Sequence, residues 1–111
     1  PVIAAACHAT LKTLLQSNLI AETIEKEQYI REQLQHQGIK EIRGKGLMLA
    51  LILPTPELAQ QLVKIALKRG LLLFFLLFEK RAVRVTPPLT ISKKELKKGC
   101  DIIVNILDEI C

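Results

Sequence analysis

The apolar positions of this chain shift between a helical spacing and a strand-like one, and the breaks fall at Ser, Asn, Gly and Pro. Pro1 to Gln16 is rich in alanine, and its proline stands where a helix tolerates a missing N–H, which predicts a helix with a narrow face of small residues. Ser17-Asn18 interrupts it. From Leu19 to Gln37, Ile20, Ile24, Ile30 and Leu34 recur among charges, which predicts a second helix closed by Gly38. Ile42 then precedes Arg43-Gly44-Lys45-Gly46, and Leu47 to Leu53 is wholly apolar: a strand, a glycine kink or bulge, and a buried strand stopped by Pro54.

Thr55-Pro56-Glu57 offers an N-cap, a proline at N1 and an acid in the first turn, followed by the stripe Leu58, Leu62, Ile65, Ala66. Lys68, Arg69 and Gly70 suit the end of that helix. Leu71 to Leu73 predicts a short strand. Phe74 to Phe78 fits either a strand or a connection under the core. Glu79-Lys80-Arg81 predicts a turn and Ala82 to Val85 the last strand. Ser92-x-x-Glu95 is a capping box, and Leu96, Cys100, Ile103, Leu107 and Ile110 after it mark one face of a terminal helix. The expected fold class is α+β: a two-layer small domain with a short, mostly antiparallel sheet and helices on one face.

Composition narrows the function. A chain of 111 residues, half of them apolar, suits one modest domain rather than a disordered segment. Much of the formal charge of +5 lies in Lys93, Lys94, Lys97 and Lys98, the solvated face of one helix. With one Tyr, three Phe and no Trp there is no aromatic platform for nucleic acid. Leu71 to Phe78 is far short of the roughly 20 residues of a membrane helix. No secretory signal is visible, so the expected location is cytoplasmic. Pro1, leading straight into a helical stretch without methionine, reads as the interior of a longer protein.

Candidate chemistry is sparse. Cys7, Cys100 and Cys111 lack zinc-site spacing; Cys7 and Cys100 are expected to be small buried hydrophobes. Cys7 and His8 are helix neighbours and point apart, and His36 reads as a surface residue near a helix end. Asp101 and Asp108 share the terminal helix, and Gly44-Lys45-Gly46 is too short for a phosphate loop. No catalytic residue and no metal ligand is identified. What remains is Arg84, at the end of an apolar strand just before Pro87-Pro88. A planar, always charged guanidinium there has the geometry that carboxylate recognition needs, although on the residues alone an exposed surface ion pair is the favoured explanation of such an arginine.

Several stretches in order tip that balance. Pro1-Val2-Ile3-Ala4-Ala5-Ala6, Asn18-Leu19, Ile42-Arg43-Gly44-Lys45-Gly46-Leu47-Met48, Arg69-Gly70-Leu71-Leu72 and Val83 to Ser92 resemble the C-terminal part of class III aminotransferases, of the acetylornithine, ornithine and 4-aminobutyrate type. The resemblance covers almost the whole chain. It implies that residues 1–111 are a C-terminal small domain of a pyridoxal 5'-phosphate enzyme, with residues 1–17 the end of a helix connecting from a large domain. It implies that Arg84 binds the substrate carboxylate and that Gly44 and Gly46 are structural. It also implies that the cofactor lysine lies upstream, so this chain alone binds no cofactor and is inactive. Amino-acid and keto-acid substrates, the large domain and a second copy of the parent are the implied partners, with no nucleic acid and no membrane. An aminomutase or decarboxylase of the same family is a variant reading. A free-standing α/β amino-acid-binding or regulatory module is the alternative from a different class. The Ala-rich first helix and the Leu71 to Phe78 run are the surfaces such a domain would leave uncovered, and self-association is the expected consequence.

Overall fold

A computed structural model describes all residues from Pro1 to Cys111. The elements run α1 (Val2–Gln16), α2 (Leu19–Gln33), β1 (Glu41–Lys45), β2 (Met48–Ile52), α3 (Pro56–Lys68), β3 (Phe74–Phe75), β4 (Ala82–Val85) and α4 (Lys93–Ile110), the order that the hydrophobic pattern predicts. The four strands form one antiparallel sheet in the order β1-β2-β4-β3. Leu49, Leu51 and Val83 are buried with Ile30 and Leu34 of α2, Leu62 and Ala66 of α3, and Leu96, Ile103, Ile106 and Leu107 of α4. The helices thus cover one face of the sheet, and this single cluster is the core that holds the two layers together.

Local sequence sets most of the ends. Thr55 Oγ1 accepts from the Leu58 amide, with Pro56 at N1, and Ser92 Oγ accepts from the Glu95 amide at 3.2 Å. Gly46 has φ +61° and no non-glycine residue has positive φ. Gly46-Leu47 therefore forms a two-residue hairpin turn of the type II′ kind, in which glycine must come first. Gly46, read with Gly44 as a kink or bulge, instead reverses the chain, while Gly44 lies within β1 opposite Leu49 and Arg43 lands opposite Ala50.

Four expectations fail, three through packing and one through a local helix cap. The second helix ends at Gln33 rather than near Gln37, and Gly38 does not close it. Its last turn is replaced by the pull of α4: His36 Nε2 lies 3.0 Å from Asp108 Oδ1, and His36 Nδ1 accepts from the Gly38 amide. His36 is consequently not a surface residue; its side chain is only 9% exposed. Leu71 to Leu73 is not a strand. Gly70 (φ +80°) ends α3 in a Schellman motif, in which the Leu71 amide donates to Ala66 O and the Gly70 amide to Leu67 O, so Leu71 has no N–H left for a ladder. Cys100 is buried as expected, but Cys7 is exposed, because α1 buries no residue at all.

The outer face is apolar in places. Ile20 and Ile24 of α2 are exposed, as are Met48, Leu72, Phe74, Phe75, Leu77 and Phe78, with Phe78 98% exposed. No helix is long and apolar enough to cross a membrane.

Candidate functional site

Arg84 lies on the sheet face away from the helices. Paired residues of antiparallel strands point to the same side. The register Arg43↔Ala50, Ala50↔Arg84, Phe74↔Arg84 therefore sets one row across all four strands: Arg43, Ala50, Arg84, Phe74. Alternation along β4 puts Val83 into the core and Arg84 outside. Arg43, Ala50 and Arg84 of this row line an open cleft of about 360 Å³, together with Met48, Leu76 and Thr86. Its floor is mainly apolar, and the Ala50 methyl leaves the middle low.

The segment after β4 is held by more than its prolines. Lys26 Nζ of α2 donates to Leu89 O, and the Ile91 amide donates to Pro88 O at 3.0 Å. Lys93 Nζ stands 5.3 Å from the centre of the Tyr29 ring, a second tie between α2 and the start of α4. On the other side, the Arg31 guanidinium donates to Ile42 O and Gly44 O, both at 2.8 Å, while Glu27 accepts from Arg31 Nε and from the Gly46 amide. Those bonds hold the Glu27 carboxyl below its usual range, the Gly46 amide first and Arg31 second. They also occupy the free carbonyls of the edge strand β1, which fixes the hairpin that carries Arg43.

The charge pairing singles out one residue. Arg31 pairs with Glu27, Arg43 with Glu41, Arg69 with Glu109 and Arg81 with Glu79. Arg84 alone among the five arginines has no carboxylate partner; its guanidinium carbon lies 5.3 Å from the centre of the Phe74 ring. The ring restrains the fork without consuming its N–H donors. An exposed surface ion pair, the simple explanation of Arg84, is absent.

Cys7, His8, Cys111 and Asp101 lie away from this cleft, and the His36–Asp108 pair links α2 to α4. The cleft holds two arginines and a threonine but no lysine and no carboxylate of its own. Such a donor set fits an anionic substrate group. It does not fit pyridoxal phosphate, whose aldehyde needs a lysine amine, so no chemical step is assigned to this chain. Arg43, Ala50 and Phe74 are the members of the row that sequence reading missed. The signal was present in Gly46-Leu47: taken as a two-residue hairpin turn, it fixes the Arg43↔Ala50 pairing.

The domain is a two-layer α+β fold whose outer sheet face presents an arginine without a carboxylate partner beside an apolar cleft. The family profile described as class-III aminotransferase matches residues 1–107. The chain belongs to the class III aminotransferase family. It is 31% identical over 115 residues to acetylornithine aminotransferase of Caldanaerobacter subterraneus subsp. tengcongensis, covering 99% of this chain and 28% of that protein. It is 33% identical over 121 residues to 4-aminobutyrate aminotransferase of Mycobacterium leprae, covering 98% and 27%. The chain thus spans about a quarter of the length of the curated relatives it matches. Among solved structures, N-acetylornithine aminotransferase from Stenotrophomonas maltophilia superposes with a TM-score of 0.85 at 23% identity, over 99% of this chain and 32% of that one. An Arthrobacter phospholyase, in complex with phosphoethanolamine, superposes at 0.88 with 23% identity, over 97% and 29%. These superpositions show the fold.

Proposed function

We propose that this chain is the C-terminal small domain of a pyridoxal 5'-phosphate-dependent aminotransferase, in which Arg84 fixes the carboxylate of the amino-acid substrate. The observation that carries the reading is the unpaired state of Arg84 in a chain whose other four arginines are all ion-paired. The amino donor is of the acetylornithine or ornithine kind, with glutamate and 2-oxoglutarate as the second pair; support comes from the acetylornithine aminotransferase relatives. Bound pyridoxal phosphate would supply the electron sink for the reaction. Its lysine and its phosphate contacts belong to a large domain outside residues 1–111, and the chain alone is inactive. Residues 1–17 are the end of a connecting helix, a reading supported by the absence of any buried residue in α1. The parent works in the cytoplasm as a homodimer.

The role of Arg84 is positional. A guanidinium gripping a carboxylate through two parallel hydrogen bonds fixes the orientation of the attached carbon as well as its distance. Restricting that freedom before reaction lowers the barrier by making the encounter effectively intramolecular. In the intact enzyme, Arg84→Ala should raise KM for carboxylate substrates and lower kcat/KM by ~2–4 kcal/mol, the scale of a desolvated charged contact. An amine substrate without a carboxylate should lose little. Steady-state kinetics unchanged for glutamate and 2-oxoglutarate would sink the assignment.

A further inference from the structure

Phe74 is a large apolar side chain with no place in the core. Its neighbour Leu73 is 5% exposed and packs with the helix-facing cluster. Alternation along the strand then turns Phe74 to the bare face, where it stays 46% exposed. A side chain left half in water gains only part of its burial energy, so packing alone is a weak reason for a phenylalanine here. What Phe74 does have is a cation. It stands directly opposite Arg84 in the β3–β4 register, and of the three phenylalanines it alone lies beneath a guanidinium.

An exposed arginine samples many rotamers, and a ligand that grips it must freeze them. The 5.3 Å contact with the Phe74 ring removes part of that freedom before a ligand arrives. A neighbouring carboxylate would restrain the fork as well, as Glu79 does for Arg81, but it would occupy the N–H donors and have to be displaced. A ring restrains the fork and leaves the donors free, because its π-face accepts the charge without taking a hydrogen bond from each N–H. An aliphatic side chain of similar size has no such face. We propose that Phe74 is a positioning residue whose ring holds the Arg84 guanidinium ready for a substrate carboxylate, an inference that rests on the reading of Arg84 as the carboxylate anchor.

The first measurement is NMR relaxation of the Arg84 Nε–H group in the 111-residue chain. Phe74→Leu should make that group as mobile as a free surface side chain, and Phe74→Tyr, which keeps the ring, should leave it restrained. The dispersion of the amide spectrum reports whether each variant keeps its fold. The second is steady-state kinetics of the intact enzyme. Phe74→Leu should raise KM for glutamate and 2-oxoglutarate about two- to fivefold, the ratio that an exposed cation–π contact supplies, and Phe74→Tyr should restore it. In an Arg84→Ala background, Phe74→Leu should add nothing, because the ring acts only through the guanidinium. A Phe74→Leu effect that persists without Arg84, that appears equally with an amine substrate lacking a carboxylate, or that Tyr fails to rescue makes Phe74 a packing residue and overturns the proposal. So does an Arg84 Nε–H group equally restrained in Phe74→Leu. Carboxylate kinetics untouched by Arg84→Ala alone overturn the reading beneath it instead.

Discussion

Replacing Gly44 with alanine should be far more damaging than the same replacement at Gly70, although both glycines have positive φ. At Gly44 φ is +113°, and an added Cβ would fall 2.0 Å from the Met48 carbonyl oxygen and 3.0 Å from its carbon. Those are backbone atoms of the paired strand and cannot rotate away. Holding a side chain in that region costs about 1–3 kcal/mol and forcing the backbones apart a further 1–3, together about 4 kcal/mol at the middle of those ranges. At Gly70 φ is +80° and nothing lies within 4 Å. The cost there is the left-handed strain alone, partly offset by the stiffer unfolded chain, about 1 kcal/mol. With a urea slope of about 2 kcal/mol per molar, the Gly44→Ala midpoint should lie about 1–2 M below that of Gly70→Ala. Urea titration followed by far-UV circular dichroism measures both. Coincident midpoints would refute the claim that the β1–β2 hairpin depends on a bare backbone at Gly44. Because the clash pushes β1 away from β2, Gly44→Ala should also displace Arg43 from the row it shares with Arg84.

Three further outcomes follow from burial and charge. Leu51, fully buried on the helix-facing side of β2, should lose about 2–5 kcal/mol of stability when truncated to alanine, read by the same urea titration. Glu79 is held down to about 2 from 4.5, chiefly by the Arg81 side chain and then the Arg81 amide. A carboxyl lowered on folding stabilises above its unfolded pKa, so that contribution is present above about pH 4.5 and is lost as the pH falls toward 2. Glu27, also lowered, acts in the same direction. The double variant Glu27→Gln with Glu79→Gln should therefore show a smaller drop in melting temperature between pH 5 and pH 2 than the parent chain, and an equal drop would contradict the pairing. Burial pushes the Cys100 thiol up to about 11, whereas Cys7 and Cys111 are exposed. A thiol-reactive disulfide reagent at neutral pH should modify Cys7 and Cys111 in the folded chain and reach Cys100 only on unfolding.

The sequence alone determined the order and kind of the elements, because periodicity, caps and prolines act within a few residues of where they are written. Thr55-Pro56, Ser92-x-x-Glu95 and Pro87-Pro88 set helix starts and a strand end that the structure repeats. It also offered Arg84 as a candidate, since a guanidinium at a proline-terminated strand end is a local pattern. Tertiary structure decided what depends on partners distant in the chain. The α2 end at Gln33 comes with the meeting of His36 and Asp108, 72 positions apart. The partnering of Arg43 with the Arg84 cleft is of the same kind. Strand register places side chains that are 41 positions apart in one row, and no local spacing encodes that distance. Local interactions fix which backbone conformation each segment prefers, but only packing fixes which faces meet, and the site belongs to the faces.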